Sequence, residues 1–459
     1  MRPIPAAIAL IVVATAAIGV TILDHCPKTS RGALAAVVDS GAPRTVRVVS
    51  KQGHPTHPSW YHDAQILSLG DRVTVAWNGR GEVRAAQLRA TGLRIIAKSK
   101  INAGGLGGST DSTGTDTDRH DVPAVVADAA GHIAFLYGGG SVAARGSSHA
   151  GPLARHVTAS NALRPLSPER PLDVGGGAAF DFESATDRTG TVHLIGQHGR
   201  GNTGSLVELR LRADGTWEAP RELIHGGDQP RGCVLGGRPR GCTRFAIARI
   251  ASDPESGRLH LVWGWSEASL SGKCRTDAGY CDHDLNYAYS DDRGATWHDA
   301  AGRRTARIAE RPLPADASAF RVVHGHVGLF KAVTVGRAGL VLVYSRFVAG
   351  TQRLMAARRA GGRWRSTPVA ADRAPSGWTG SLVLRGGARY TLWTPTGKAI
   401  HRFSSTDGAT WSHRIVYKGP AWSLTGSPAA SPRDELLLWR GRRDGGRSWV
   451  MLGAFPTGR

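Results

Sequence analysis

The sequence predicts an all-β chain folded as a β-propeller of seven blades of short antiparallel strands, closed by an N-terminal strand. Three observations carry that expectation. A strand motif recurs about seven times along the chain. Glycine supplies 60 of 459 residues without a collagen period, which asks for many tight turns. Long heptads of Leu, Glu, Lys and Ala, the mark of helix bundles, are absent. Charged residues are 20% and hydrophobic residues 41% of the chain, which excludes a polar disordered polymer and allows a large core.

The first element is not part of the propeller. Arg2 precedes an apolar run from Ala6 to Leu23, broken only by Thr15, Gly19 and Thr21. Residues 1–26 therefore read as a signal peptide or an N-terminal membrane anchor, residues 27–43 as a linker, and 44–459 as one propeller domain. Cys26 follows the polar pair Asp24-His25, a poor context for a lipoprotein cysteine. An exported protein, secreted or held at the cell surface, is expected, with membrane contact only through this segment. Four further cysteines fit that location. Cys233 and Cys242 bracket one Gly/Pro/Arg loop and Cys274 and Cys281 another, so two local disulfides are expected. A Cys/His zinc site using His283 is the alternative.

The repeat is a Gly or Asp turn followed by an alternating apolar strand that ends in an aromatic or small residue. Its copies start at Asp71, Gly131, Gly190, Gly257, Gly339, Gly387 and Asp434 and end at Trp77, Tyr137, Gly196, Trp263, Ser345, Trp393 and Trp439. Short strands precede several copies, such as Ala124–Ala127 and Phe245–Ala248. Others follow, such as Leu153–Val157 and Leu285–Tyr289. Trp422–Phe455 offers three strands, and Thr45–Ser50 is expected to supply the fourth, leaving the ring no free edge. A set of β-sandwich domains is the competing architecture; the single recurring unit and the lack of linkers oppose it.

The formal net charge is +22. Such a balance favours an anionic partner, although a codon bias toward Arg would produce it without purpose. The basic residues are dispersed, with no Lys/Arg block, zinc-finger spacing or RNA-binding aromatic signature, so nucleic acid is not expected as a partner.

Ser290-Asp-Asp-Arg-Gly-Ala-Thr-Trp297 fits S-x-D-x-G-x-T-W and resembles the Asp-box of sialidase-type propellers; Ser405–Trp411 is a copy one residue short, and Ala213–Trp217 an eroded one. Asp and Gly shape the hairpin turn, Ser and Thr satisfy its backbone, and Trp packs between strands. The motif is structural and says nothing of chemistry. His120-Asp-Val-Pro, running on through the strand to Tyr137, is similar to a block of the BNR-4 repeat family. His260-Leu-Val-Trp-Gly-Trp265 with His283–Trp297 resembles another block of it. The resemblance covers about residues 60–300 well and the remainder loosely. It implies a propeller related to polysaccharide lyases that act on uronic-acid polymers such as ulvan.

In a propeller the first strand of each blade lines the channel, and ligands meet the starts of those strands. The repeat places Tyr61 and His62, His120, Phe180–Phe182, Arg244, His324–His326, Trp378 and Trp422 at those starts. Cations and aromatic faces in a ring suit an acidic sugar, the expected partner, bound by a monomer. A uronate lyase must neutralise the carboxylate, remove the neighbouring proton and protonate the leaving oxygen. The resemblance implies His120 as the first catalytic histidine. His149, within His149-Ala-Gly-Pro-Leu153, is implied as the second, with Arg244 as carboxylate partner. The family's tyrosine position falls at Phe180–Phe182 and its arginine position near Gln197, with Arg200 close by. Tyr61, His62, Gln197, Arg200, His326, Trp378 and Trp422 are the expected substrate-binding residues. No metal ligand set is assigned and no cofactor is required; a structural Ca²⁺ or Zn²⁺ would be compatible with the fold. Two other functions compete: a sialidase-like hydrolase, with Glu183, Glu208 or Glu267 beside a nucleophile, and a non-catalytic glycan-binding propeller.

Overall fold

Middle strands such as Ile133–Tyr137 and Tyr390–Pro395 are buried on both faces, because each sheet is sandwiched between two others, while outer strands such as Arg363–Pro368 are largely exposed. In the computed structural model the described residues are 42–53, 64–79, 82–101, 123–137, 153–157, 161–168, 170–172, 174, 179–198, 205–225, 234–235, 238–239, 244–267, 282–313, 319–328, 331–348, 351–370, 382–428, 434–444 and 447–456. Among them every regular element is a strand, and the sheets form a β-propeller. The expected disulfides, the N-terminal segment and most of the linker lie outside these residues.

Six sheets are four-stranded. In five of them the chain runs outward from the channel through four consecutive antiparallel strands. The first blade, for example, is Ile66–Leu69, Arg72–Gly79, Glu82–Arg89 and Ile95–Lys100. All seven copies of the repeat are second strands, from Arg72–Gly79 to Asp434–Asp444. Thr45–Gly53 pairs antiparallel with Arg447–Pro456, so the first strand of the chain closes the last blade as expected. One further sheet departs from the four-stranded pattern. The interval 244–326 forms a six-stranded sheet in which the third strand, Asp282–Ser290, shares its outer edge. Tyr289 pairs with His298 near one end, and His283 pairs with His326 at the other, through the added strand Arg321–His326.

The core is a ring of interfaces. Seven buried apolar clusters occur among the described residues, each joining two consecutive sheets. Val49, Leu436 and Leu452 of the closing sheet pack on Val73, Val75 and Leu88 of the first blade, which completes the circuit. Trp263, Trp297, Trp393 and Trp439 are among the largest wholly buried side chains and fill these gaps.

The Asp-box turns have the predicted build. Ser290 Oγ donates to Asp292 Oδ1 at 2.8 Å and accepts from the Gly294 N–H at 2.8 Å, while the Thr296 N–H donates to Asp292 Oδ1 at 2.7 Å. Gly294 has φ +77°, and Trp297 enters the core. The shortened copy repeats the pattern: Asp407 accepts from Ala409 and Thr410 N–H groups, both at 2.8 Å. Those bonds and the one from Ser405 outweigh the effect of burial and hold the Asp407 carboxyl at about 2.

Candidate functional site

The inner strands of all the blade sheets converge on one channel. Its cavity of about 530 Å³ is lined by residues such as Ser68, Asp128, Glu183, Arg249, Arg385 and Ser427. Charges in the wall are paired: Arg249 with Glu183, and Arg385 Nε with Glu435 Oε1 at 2.9 Å. Paired, hydrogen-bonded charges are the form in which a propeller can bury them. Unpaired recognition chemistry is therefore sought at the rim where inner strands begin.

On that rim the six-stranded sheet builds a hub around Asp284. The chain bulges between His283 and Leu285, and Asp284 takes φ +54°, a left-handed conformation that Asp tolerates better than most residues. Its side chain is only 8% exposed. Oδ1 accepts from the Gly325 N–H at 2.8 Å and lies 2.9 Å from His324 Nδ1. His283 Nδ1 and Arg321 Nε stand 3.5 and 3.6 Å from Oδ2. Burial alone would raise the Asp284 carboxyl. The hydrogen bonds from His283 and the Gly325 N–H, with the His283 and Arg321 charges, overcome it and hold the group at about 2.

An ionised Asp284 only accepts, so His324 Nδ1 must carry the proton of that hydrogen bond. In the neutral imidazole Nε2 is then a lone-pair acceptor. The His324 side chain is 76% exposed, so a carboxylate-oriented imidazole is presented to solvent beside a guanidinium. Such a pair can take a proton from a ligand whose own negative charge sits on Arg321.

The hub is tied to the channel through a glycine. A Cβ on Gly264 would fall 2.5 Å from Lys331 Cε and 2.8 Å from the Asp284 carbonyl oxygen. Gly264 thus lets the buried Lys331 lie against the strand that carries Asp284. The Lys331 carbonyl in turn accepts from Arg249 Nε at 3.1 Å.

Of the expected catalytic and substrate-binding residues, four fall among the described ones. Arg244 opens the inner strand Arg244–Ser252, opposite Glu267. Gln197 is buried on Val192–His198, in register with Phe180. Trp422 is half-buried, and its N–H donates to the Arg440 carbonyl at 3.1 Å. His326 was expected at the start of an inner strand; it ends the added strand, because its segment pairs backward with the preceding third strand. That pairing is non-local and leaves no mark in the local pattern. Arg244 and His326 belong to one sheet, and Gln197 to the sheet before it. His120, His149, Tyr61, His62, Arg200 and Trp378 lie outside the described residues. Asp284 and Arg321 were missed; the only signals were the dipeptide His283-Asp284 and the tripeptide His324-Gly-His326, whose cross-strand union the sequence does not reveal.

Two expectations about carboxylates are corrected. Glu208 is wholly buried, 2.6 Å from His193 Nδ1, and accepts from Arg221. His193 Nε2 lies 3.2 Å from Asp187. Burial pushes Glu208 up, but His193 and Arg221 outweigh it and keep the carboxyl below its usual range. This group cannot serve a nucleophile. Glu183 is committed to Arg249. Phe182, at the family's tyrosine position, is buried between sheets rather than set at the rim. Among the described residues no group of three or more His, Cys, Asp or Glu is placed to hold a metal ion.

The sheets and Asp-box turns define a β-propeller. Residues 212–372 match the model of the BNR repeat-containing family. No curated protein matches the chain. Among solved structures, an ulvan lyase of polysaccharide lyase family PL25, bound to -[GlcA(1-4)Rha3S]-, is similar at a TM-score of 0.63 and 14% identity. The similarity covers 91% of this chain and 96% of that one. The polysaccharide lyase Uly1 is similar at a TM-score of 0.60 and 12% identity, covering 91% and 95%. At these identities the likeness is one of fold.

Proposed function

We propose that the chain is an exported, monomeric propeller that cleaves an acidic, uronic-acid-containing glycan by β-elimination at the rim where the inner strands begin. The observation that carries this reading is the Asp284–His324 pair, an exposed imidazole oriented by a buried carboxylate, beside Arg321. The likeness in fold to an ulvan lyase bound to -[GlcA(1-4)Rha3S]- supports the substrate class.

The reaction asks for a cation on the uronate carboxylate, a base for the proton beside it, and an acid for the departing oxygen. The carbon–hydrogen electrons become the new double bond as the carbon–oxygen bond breaks. In this reading Arg321 and Arg244 hold the carboxylate. His120, His149 and His324 supply base and acid. Gln197, Arg200, Tyr61, His62, His326, Trp378 and Trp422 contact sugar. The N-terminal segment delivers the chain to the cell exterior, where the two cysteine pairs staple loops. No cofactor enters the chemistry, and a Ca²⁺ or Zn²⁺, if held, serves the scaffold.

Incubation with a panel of uronic-acid polysaccharides, followed by the ultraviolet absorbance of unsaturated uronate, tests the reading. New absorbance that His120→Ala, His149→Ala and His324→Ala each abolish would support it; a polymer bound but never cleaved would oppose it. The burial of Phe182 favours one second reading, a glycan-binding propeller without turnover. Binding without absorbance or reducing ends would establish that alternative.

A further inference from the structure

Lysine is scarce in this chain: eight of the 58 basic residues are Lys, the rest Arg. Three of the eight, Lys51, Lys98 and Lys100, line one groove. It lies at the outer edge of the ring, where the closing strand Thr45–Gly53 meets the outer strands of the first blade. Arg84 and Arg164 add to its wall, Trp77 lines it, and its volume is about 390 Å³. None of the nine lining residues is acidic. A drift of Lys to Arg across the sequence does not account for lysines gathered from two distant segments in one place.

The groove is built rather than incidental. Lys98 Nζ donates to the Val49 carbonyl at 2.7 Å, fixing one wall to the other. Lys51 Nζ stands 5.0 Å over the Trp449 ring, a cation–π contact that holds its stem. Trp77 is 5% exposed, and its indole N–H has no acceptor among the described residues. Five basic side chains around one concavity offer an anion several cationic partners at once.

We infer that this groove is a second binding site for acidic polysaccharide, one that holds the polymer's sulfate or carboxylate groups at the outer edge of the ring, away from the cleavage rim. The inference rests on the reading that the chain handles acidic glycan, but not on catalysis. The concavity favours a polymer strand over a lipid headgroup layer, which meets convex surfaces. The site would raise the local concentration of a long substrate by holding it at two points.

The test uses the purified full chain. Binding of dextran sulfate and polygalacturonate is measured against salt, with neutral dextran as blank, for Lys51→Glu/Lys100→Glu and for Arg363→Glu/Arg365→Glu. The second pair makes the same change of charge on exposed residues of another blade. The inference expects at least a tenfold loss of affinity and a shallower salt dependence for the lysine pair, and less than twofold for the arginine pair. Equal losses in both pairs would reduce the effect to net charge and overturn it. So would unchanged binding in the lysine pair, or a loss confined to vesicles of anionic phospholipid. Elimination without any groove effect would leave the proposed function standing and sink only this inference. No binding to either polyanion by the unaltered chain would sink this inference and the substrate class together.

Discussion

Asp284→Asn is the substitution that most sharply tests the hub. Asn keeps the size and tolerates φ +54°, so backbone strain is not added. What changes is the charge facing His324, His283, Arg321 and the Gly325 N–H. The carboxyl is held at about 2 against an ordinary 3.8, which corresponds to about 2 kcal/mol of native-state stabilisation at neutral pH. The sign follows from the direction of the shift. A depressed folded value stabilises fully above the unfolded value and is lost as pH falls from near 4 toward 2. Urea unfolding from pH 7 to pH 2.5 therefore has a defined outcome. The variant is less stable by about 2 kcal/mol at pH 7, and the two curves converge on acidification. A difference under about 0.5 kcal/mol at pH 7, or one that stays constant into acid, would refute the assignment of Asp284 as an ionised hub.

Three other substitutions probe separate parts of the account. Trp297→Ala empties a wholly buried site between sheets and should cost about 3–5 kcal/mol in denaturant unfolding, whereas Trp217→Ala in the eroded turn, where the ring is half-exposed, should cost less than half of that. Gly264→Ala drives a methyl into Lys331 and the Asp284 backbone; a loss of about 1–3 kcal/mol is expected, with reduced elimination activity, and normal stability would show that the close approach is not rigid. Glu208→Gln leaves His193 and Arg221 facing a neutral amide in the core, a loss of about 3 kcal/mol that calorimetry would detect as a lowered Tm without any change specific to catalysis.

The architecture was legible because it rests on local signals repeated around a ring. Each second strand announces itself by a turn residue and an alternating run, and the Asp-box turns by side chains that satisfy their own backbone. The site was less legible, for two physical reasons. In a propeller both faces of a blade pack on neighbours, so Leu206, Val207, Glu208 and Leu209 are all buried and alternation no longer separates core from surface. A polar residue such as Glu208 then looks available when it is locked in a buried pair. Sheet pairing across a long connection is also invisible locally. Hence His326 was placed on an inner strand, while the structure lays it against His283 and brings His324 onto Asp284. The histidine-rich tripeptide stands out in the sequence, whereas its partner carboxylate lies forty residues away with no local mark.

The central claim is elimination of an acidic glycan at the rim, and product mass tests it most directly. Uronic-acid polymer is incubated with the full chain, and the new non-reducing ends are weighed by mass spectrometry. The account predicts fragments lighter by one water than hydrolysis products, absent when His324→Ala replaces the unaltered chain. Fragments of hydrolytic mass, or elimination indifferent to His324, would contradict it.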